Sequence, residues 1–160
     1  MNSITNGLMM LKILVASVLI LIGAAGCSSS PSETPEKFVM TFIQKHIPMI
    51  DRSVADFYVK EERAGVIDRV QQFIASKKEK GTLASLKTAI YDFSKIKIDV
   101  LDQKEEYVHD EGVQFMKVAV KGNYTKTING KPESFIENEI IILESVAGKW
   151  KVTEEMNPWG

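Results

Sequence analysis

The chain has 160 residues, 44% of them hydrophobic and 26% charged, with 20 basic against 21 acidic side chains. These proportions fit one folded domain plus a targeting segment, and they exclude a disordered chain, a collagen-like repeat and a polytopic membrane protein. The near balance of charge, with no block of Lys and Arg, argues against nucleic acid as a partner.

Lys12 precedes an apolar run over residues 13–22, which ends in Gly23-Ala24-Ala25-Gly26-Cys27. A positive residue, an apolar run and small residues in that order predict an export signal over 1–26, cleaved between Gly26 and Cys27. As a helix, residues 13–25 span roughly 20 Å at about 1.5 Å per residue. A hydrocarbon core is about 30 Å thick, so a transmembrane anchor is the weaker alternative. Met9 or Met10 would open a more compact signal of the same kind.

Cys27 is the single cysteine, so the domain after it holds no disulfide. A lone cysteine in an exported chain needs a role, and a free or dimerising thiol is one alternative. Ala24-Ala25-Gly26-Cys27 resembles the lipobox of bacterial lipoproteins, with Ala24 where Leu is commoner. That resemblance implies a diacylglyceryl group on Cys27, cleavage before it, and acylation (palmitate, for example) of the new amino group. Several chains on one residue anchor stably, since each buried CH₂ contributes about 0.8 kcal/mol. Ser28 follows directly; in a Gram-negative host this implies the outer membrane, facing the periplasm. Residues 27–34 then form a polar tether reaching roughly 25 Å.

Thr34-Pro35-Glu36 opens a helix: a Thr cap, Pro at the first position and an acid in the first turn. Phe38, Phe42, Ile43 and Ile47 share one face of it, and Pro48 interrupts it. Asp51 caps a short second helix carrying Val54, Phe57 and Tyr58. A third helix is predicted over 62–80, with Val66, Val70, Phe73 and Ile74 as its stripe and Gly81 after its end.

After Leu86 the apolar period changes to two. Ile96, Ile98 and Val100 alternate with Lys95, Lys97 and Asp99, and residues 109–112 read as a turn. Strands over 113–124 and 135–145 flank Asn129-Gly130, a strong hairpin signal. Ala147-Gly148-Lys149 turns into a last strand, Trp150-Lys151-Val152-Thr153. The expectation is one α+β domain over 35–156 with a tail at 157–160: N-terminal helices packed on a curved antiparallel sheet. Phe42, Ile43, Phe73, Ile98, Val118, Ile141 and Trp150 are its expected core.

This layout resembles the cystatin-like, nuclear transport factor 2-like cone, and within it the bacterial lipoprotein domain of unknown function 4878. The resemblance rests on Thr34-Pro-Glu-Lys-Phe-Val39 after a tether, the long strands joined at Asn129-Gly130-Lys131, and the closing Ala147-Gly-Lys-Trp-Lys-Val152. It covers about residues 31–152. It implies a fold and no activity, because such cones host enzymes, binders and structural modules alike.

Chemistry is sparse. His46 falls either at the mouth of the cone, where its pKa suits a general base, or at a helix boundary. His109, Asp110 and Glu111 lack the spacing of a zinc site, and no EF-hand, phosphate loop or nucleophile elbow occurs. No metal, cofactor or catalytic set is therefore expected. Enzymes on this type of cone pair an Asp or His with a Tyr, for which Asp56, Tyr58, Tyr91, Asp92 and Tyr124 are the candidates. Trp150 belongs either to a ligand pocket or to the core; Trp159 sits in a Pro-flanked tail.

The sequence thus reads as a membrane-anchored envelope lipoprotein, with a non-catalytic module for a small apolar ligand or a protein partner. His46, Tyr58 and Trp150 are its candidate pocket. The alternative is a proton-transfer or hydrolytic enzyme using an Asp or His with a Tyr. The apolar run Ile140-Ile-Ile-Leu143 predicts that the outer face of its strand is covered, for instance in a homodimer through the sheet.

Overall fold

The computed structural model describes residues 31–108 and 111–160. Gly26, Cys27 and the export signal lie outside the described residues, as do His109 and Asp110. Helix α1 (Pro35–His46) starts as expected, with the Thr34 hydroxyl accepting the Lys37 N–H. Phe38, Val39, Phe42 and Ile43 are its buried face. The predicted second helix is a 3₁₀ turn, Arg52–Phe57, capped by the Asp51 carboxylate on the Ser53 N–H. Helix α2 (Arg63–Glu79) closes on Gly81 at φ +68°. The Thr82 N–H reaches the Lys77 carbonyl and the Gly81 N–H that of Lys78, which is a Schellman end. A five-residue helix α3 (Leu83–Lys87) follows and buries Leu86.

Four strands then run in chain order as an antiparallel meander: β1 (Ile90–Val108), β2 (Glu111–Ile128), β3 (Lys131–Val146) and β4 (Lys149–Thr153). The sheet is curved and unclosed, with the helices toward its concave face: a cone-like α+β fold. Gly122 in β2 lies at φ +129°, where a Cβ would collide with the Lys95 carbonyl. Beside it β1 shifts register between Asp92 and Lys95, so the two strands curl together.

The core lies between α1, the 3₁₀ turn, α2 and the concave face. Phe42, Ile43, Val118, Ile141 and Trp150 are all in it, and Ile98 packs against it half-buried. Phe73 departs from expectation. It is half-buried beneath the Lys77 ammonium, although at about 100° per residue it lies only about 20° round the helix from the buried Val66. Ile67 and Ile74, on the other side of Val70, pack against the core.

The run in β3 divides by face. Ile141 and Leu143 are buried inward, whereas Ile140 is 49% exposed. The outer face near it is crossed by the C-terminal tail. There the Trp159 indole N–H donates to Asp102 at 2.7 Å, with the Lys104 and Lys117 ammoniums against its ring. The tail is therefore docked, and Phe115 on the same outer face is fully buried.

Candidate functional site: a cleft at the end of the last strand

β4 pairs with β3 only from Ile142 to Val146 and stops at Thr153. Beyond that stop, a cleft of about 590 Å³ opens between α1, the 3₁₀ turn and β3. Phe42, Ile141 and Val152 give it apolar walls; His46, Tyr58, Glu139 and Glu154 give it polar ones.

α1 delivers His46 from its last turn, one turn after the buried Phe42, whose ring lies 4.8 Å from the imidazole. Tyr58 leaves the 3₁₀ turn and is 1% exposed, with its hydroxyl 3.3 Å from His46 Nδ1. Burial lowers the His46 pKa against the opposing charges of Glu139 and Glu154. Burial, reinforced by the Glu154 charge, raises that of Tyr58. Both shifts favour neutral side chains, so near neutral pH the tyrosine hydroxyl and the imidazole share a hydrogen bond between uncharged groups. Arg69 on α2 holds Glu154 through 2.9 Å contacts to both carboxylate oxygens.

The end of β4 has its own device. The Glu62 carboxylate, itself only 9% exposed, accepts the Thr153 hydroxyl at 2.7 Å and the N–H groups of Glu154 and Glu155. These bonds turn the chain away from β3 and leave the cleft open.

Of the residues expected at the site, the fold brings His46 and Tyr58 together. Trp150 is elsewhere: it is a core residue that borders a smaller cleft of about 290 Å³ with Pro31, Phe38 and Phe57. Its indole N–H donates to the Glu33 carbonyl at 2.9 Å, fixing the start of the domain. Asp56 faces water, and Asp92, also exposed, accepts the Ser94 N–H. Tyr91 and Tyr124 join Phe93 and Phe135 in a row of rings with centroids 5.2–6.4 Å apart along neighbours. Neither tyrosine reaches His46.

Glu139, Glu154 and Arg69 were not foreseen from the sequence. The signal for Glu139 was available: counted back from Ile141, it falls on the inward face of β3, where a charge is out of place. Among the described residues no group of three His, Cys, Asp or Glu side chains is placed to hold a metal ion. No described helix is long and apolar enough to cross a membrane. No protein-family model matches the chain, and no curated protein matches its sequence.

Proposed function

We propose that this chain is a lipid-anchored module of the bacterial cell envelope that binds its partner, without catalysis, at the His46–Tyr58 cleft. The lipidated Cys27, the export signal before it and the kinship with the domain of unknown function 4878 belong to this proposal and rest on the sequence features above. The observation that carries the binding reading is the neutral His46–Tyr58 pair lining an open, mixed-polarity cleft. An uncharged donor and acceptor beside apolar walls suits recognition, in which orientation comes from hydrogen bonds and affinity from apolar area.

One observation favours a second reading. A buried neutral imidazole is a competent base, and its contact with Tyr58 resembles an acid–base pair. Against it, burial makes the Tyr58 hydroxyl a weaker acid. Among the described residues, Tyr58 alone hydrogen-bonds the ring, so no carboxylate orients it for proton transfer.

The test is native mass spectrometry of the full chain, extracted from bacterial membranes in a non-ionic detergent. A mass surplus that disappears on denaturation, and is reduced in His46→Ala, is the expected result. A bare chain in both proteins would remove the binding reading. Cys27→Ala should move the protein from the membrane to the soluble fraction; unchanged membrane attachment would refute lipidation there.

A further inference from the structure

β3 bonds to β2 along Lys131–Glu144, but β4 covers its other side only from Ile142. Residues 131–141 thus present an edge on which no described strand pairs. The two hairpin turns fix which groups face outward. Asn129-Gly130 and Ala147-Gly148 both have two central residues at positive φ, from +48° to +75°. Such type I′ turns close on pairs that exchange both hydrogen bonds, here Ile128 with Lys131 and Val146 with Lys149. Bonding then alternates along the strand. Odd-numbered β3 residues bond β2, while Ser134, Ile136, Asn138 and Ile140 turn their N–H and C=O outward. Pro132, which has no N–H to offer there, ends the usable edge. At the other end, the Glu155 N–H that a longer β4 would aim at β3 is taken by Glu62.

The side chains flanking this edge differ by face. Ile136, 82% exposed, and Ile140 stand on the outer face. Glu137 and Glu139 stand on the concave face beside the rings of Tyr124 and Phe135. Glu133 has Lys126 directly across, whereas Glu137 and Glu139 face Gly122 and Val120. Their charges are close enough that Glu139, after burial, raises the pKa of Glu137.

A second copy is a poor occupant. Every two-fold antiparallel register centred from position 135 to 139 sets one of Glu133, Glu137 and Glu139 against another or against itself, and like charges directly opposite are destabilising.

We propose that the Ser134–Ile140 edge takes up an extended segment of a partner polypeptide as a fifth strand, with basic side chains over Glu137 and Glu139 and apolar ones over Ile136 and Ile140. Backbone pairing supplies the affinity and the alternating side chains the specificity. This rests on the binding reading above and names its partner class.

The experiment titrates the full chain in non-ionic detergent with a short fluorescent peptide of alternating lysine and valine. A second peptide is N-methylated at every backbone nitrogen and so keeps the charge but cannot pair. The first should bind, and the second at least about tenfold more weakly. Glu137→Lys with Glu139→Lys should weaken the first by a similar factor. Asn138→Pro should do so as well, because it removes an outward donor and leaves the β2 ladder intact; if that variant misfolds, the peptide pair on the wild type decides. No binding, or equal binding of both peptides, overturns the strand addition. So does a dimer of the unliganded chain that Asn138→Pro dissociates. The mass-spectrometric test judges the cleft separately, so a His46-dependent surplus with no peptide pairing would leave the binding reading standing.

Discussion

The Glu62 carboxylate and the Thr153 hydroxyl, 2.7 Å apart and 91 positions apart in sequence, form a buried bond that ends the sheet. Glu62 precedes α2, and Thr153 is the last residue of β4. One side chain therefore fixes how far β4 covers β3. Glu62→Ala is expected to destabilise the domain by about 2–3 kcal/mol, as for hydrogen bonds to a buried charge. Glu62→Gln, which keeps an acceptor oxygen, should lose less. Urea denaturation measures both. Hydrogen exchange at the Glu155 amide should quicken in the alanine variant before global unfolding.

His46 predicts a pH dependence with a definite sign. Its pKa is lowered in the fold from the ordinary 6.5. Between the folded and unfolded values the unfolded chain binds more protons, so stability rises with pH. Acidification from about pH 7.5 to about pH 5.5 should therefore destabilise the wild type more than His46→Gln. Glu137 and Glu144, whose pKa values burial raises, work in the opposite direction at lower pH, equally in both proteins. Thermal melts at several pH values decide it; parallel curves would contradict a buried neutral imidazole.

Ala147 is strained. It occupies the first central position of a type I′ turn at φ +48°, where Asn, Asp or Gly is the usual residue. Ala147→Asn should raise stability by about 0.5–1 kcal/mol. Ala147→Gly should gain less, because glycine also loosens the unfolded chain. Chemical denaturation checks the order of the three.

Trp150→Phe keeps an aromatic ring in the core and removes the donor to the Glu33 carbonyl. The expected loss is about 1 kcal/mol, together with faster limited proteolysis around residues 31–34. Loss of stability without exposure of that segment would show that the indole acts by packing alone.

The elements were legible where local chemistry decides them. Thr34-Pro35 opens α1, Gly81 closes α2, and Asn129-Gly130 and Ala147-Gly148 turn the hairpins, since each acts within a few residues. Strand length was less legible. β1 runs from Ile90 to Val108, and its far half, Asp102-Gln-Lys-Glu-Glu106, has no apolar alternation because little packs on it there. The site was legible only in part. His46 and Tyr58 stood out as residue types, but their meeting depends on the 3₁₀ turn folding back against α1. Glu62 and Thr153 carried no signal at all, because their bond joins segments that only the closed fold brings together.

The contact between Trp150 and Glu33 also gives the domain a polarity. The small cleft at this contact is bordered by both Pro31 and Gly148, so the chain enters beside the β3–β4 turn. From there β3 leads away over 16 residues, up to about 50 Å at 3.3 Å per residue. A domain hung from an acylated Cys27 would keep that turn near the lipid headgroups. The Asn129–Gly130 tip and the open edge next to it would then point outward, and such an anchor would aim the strand edge away from the membrane.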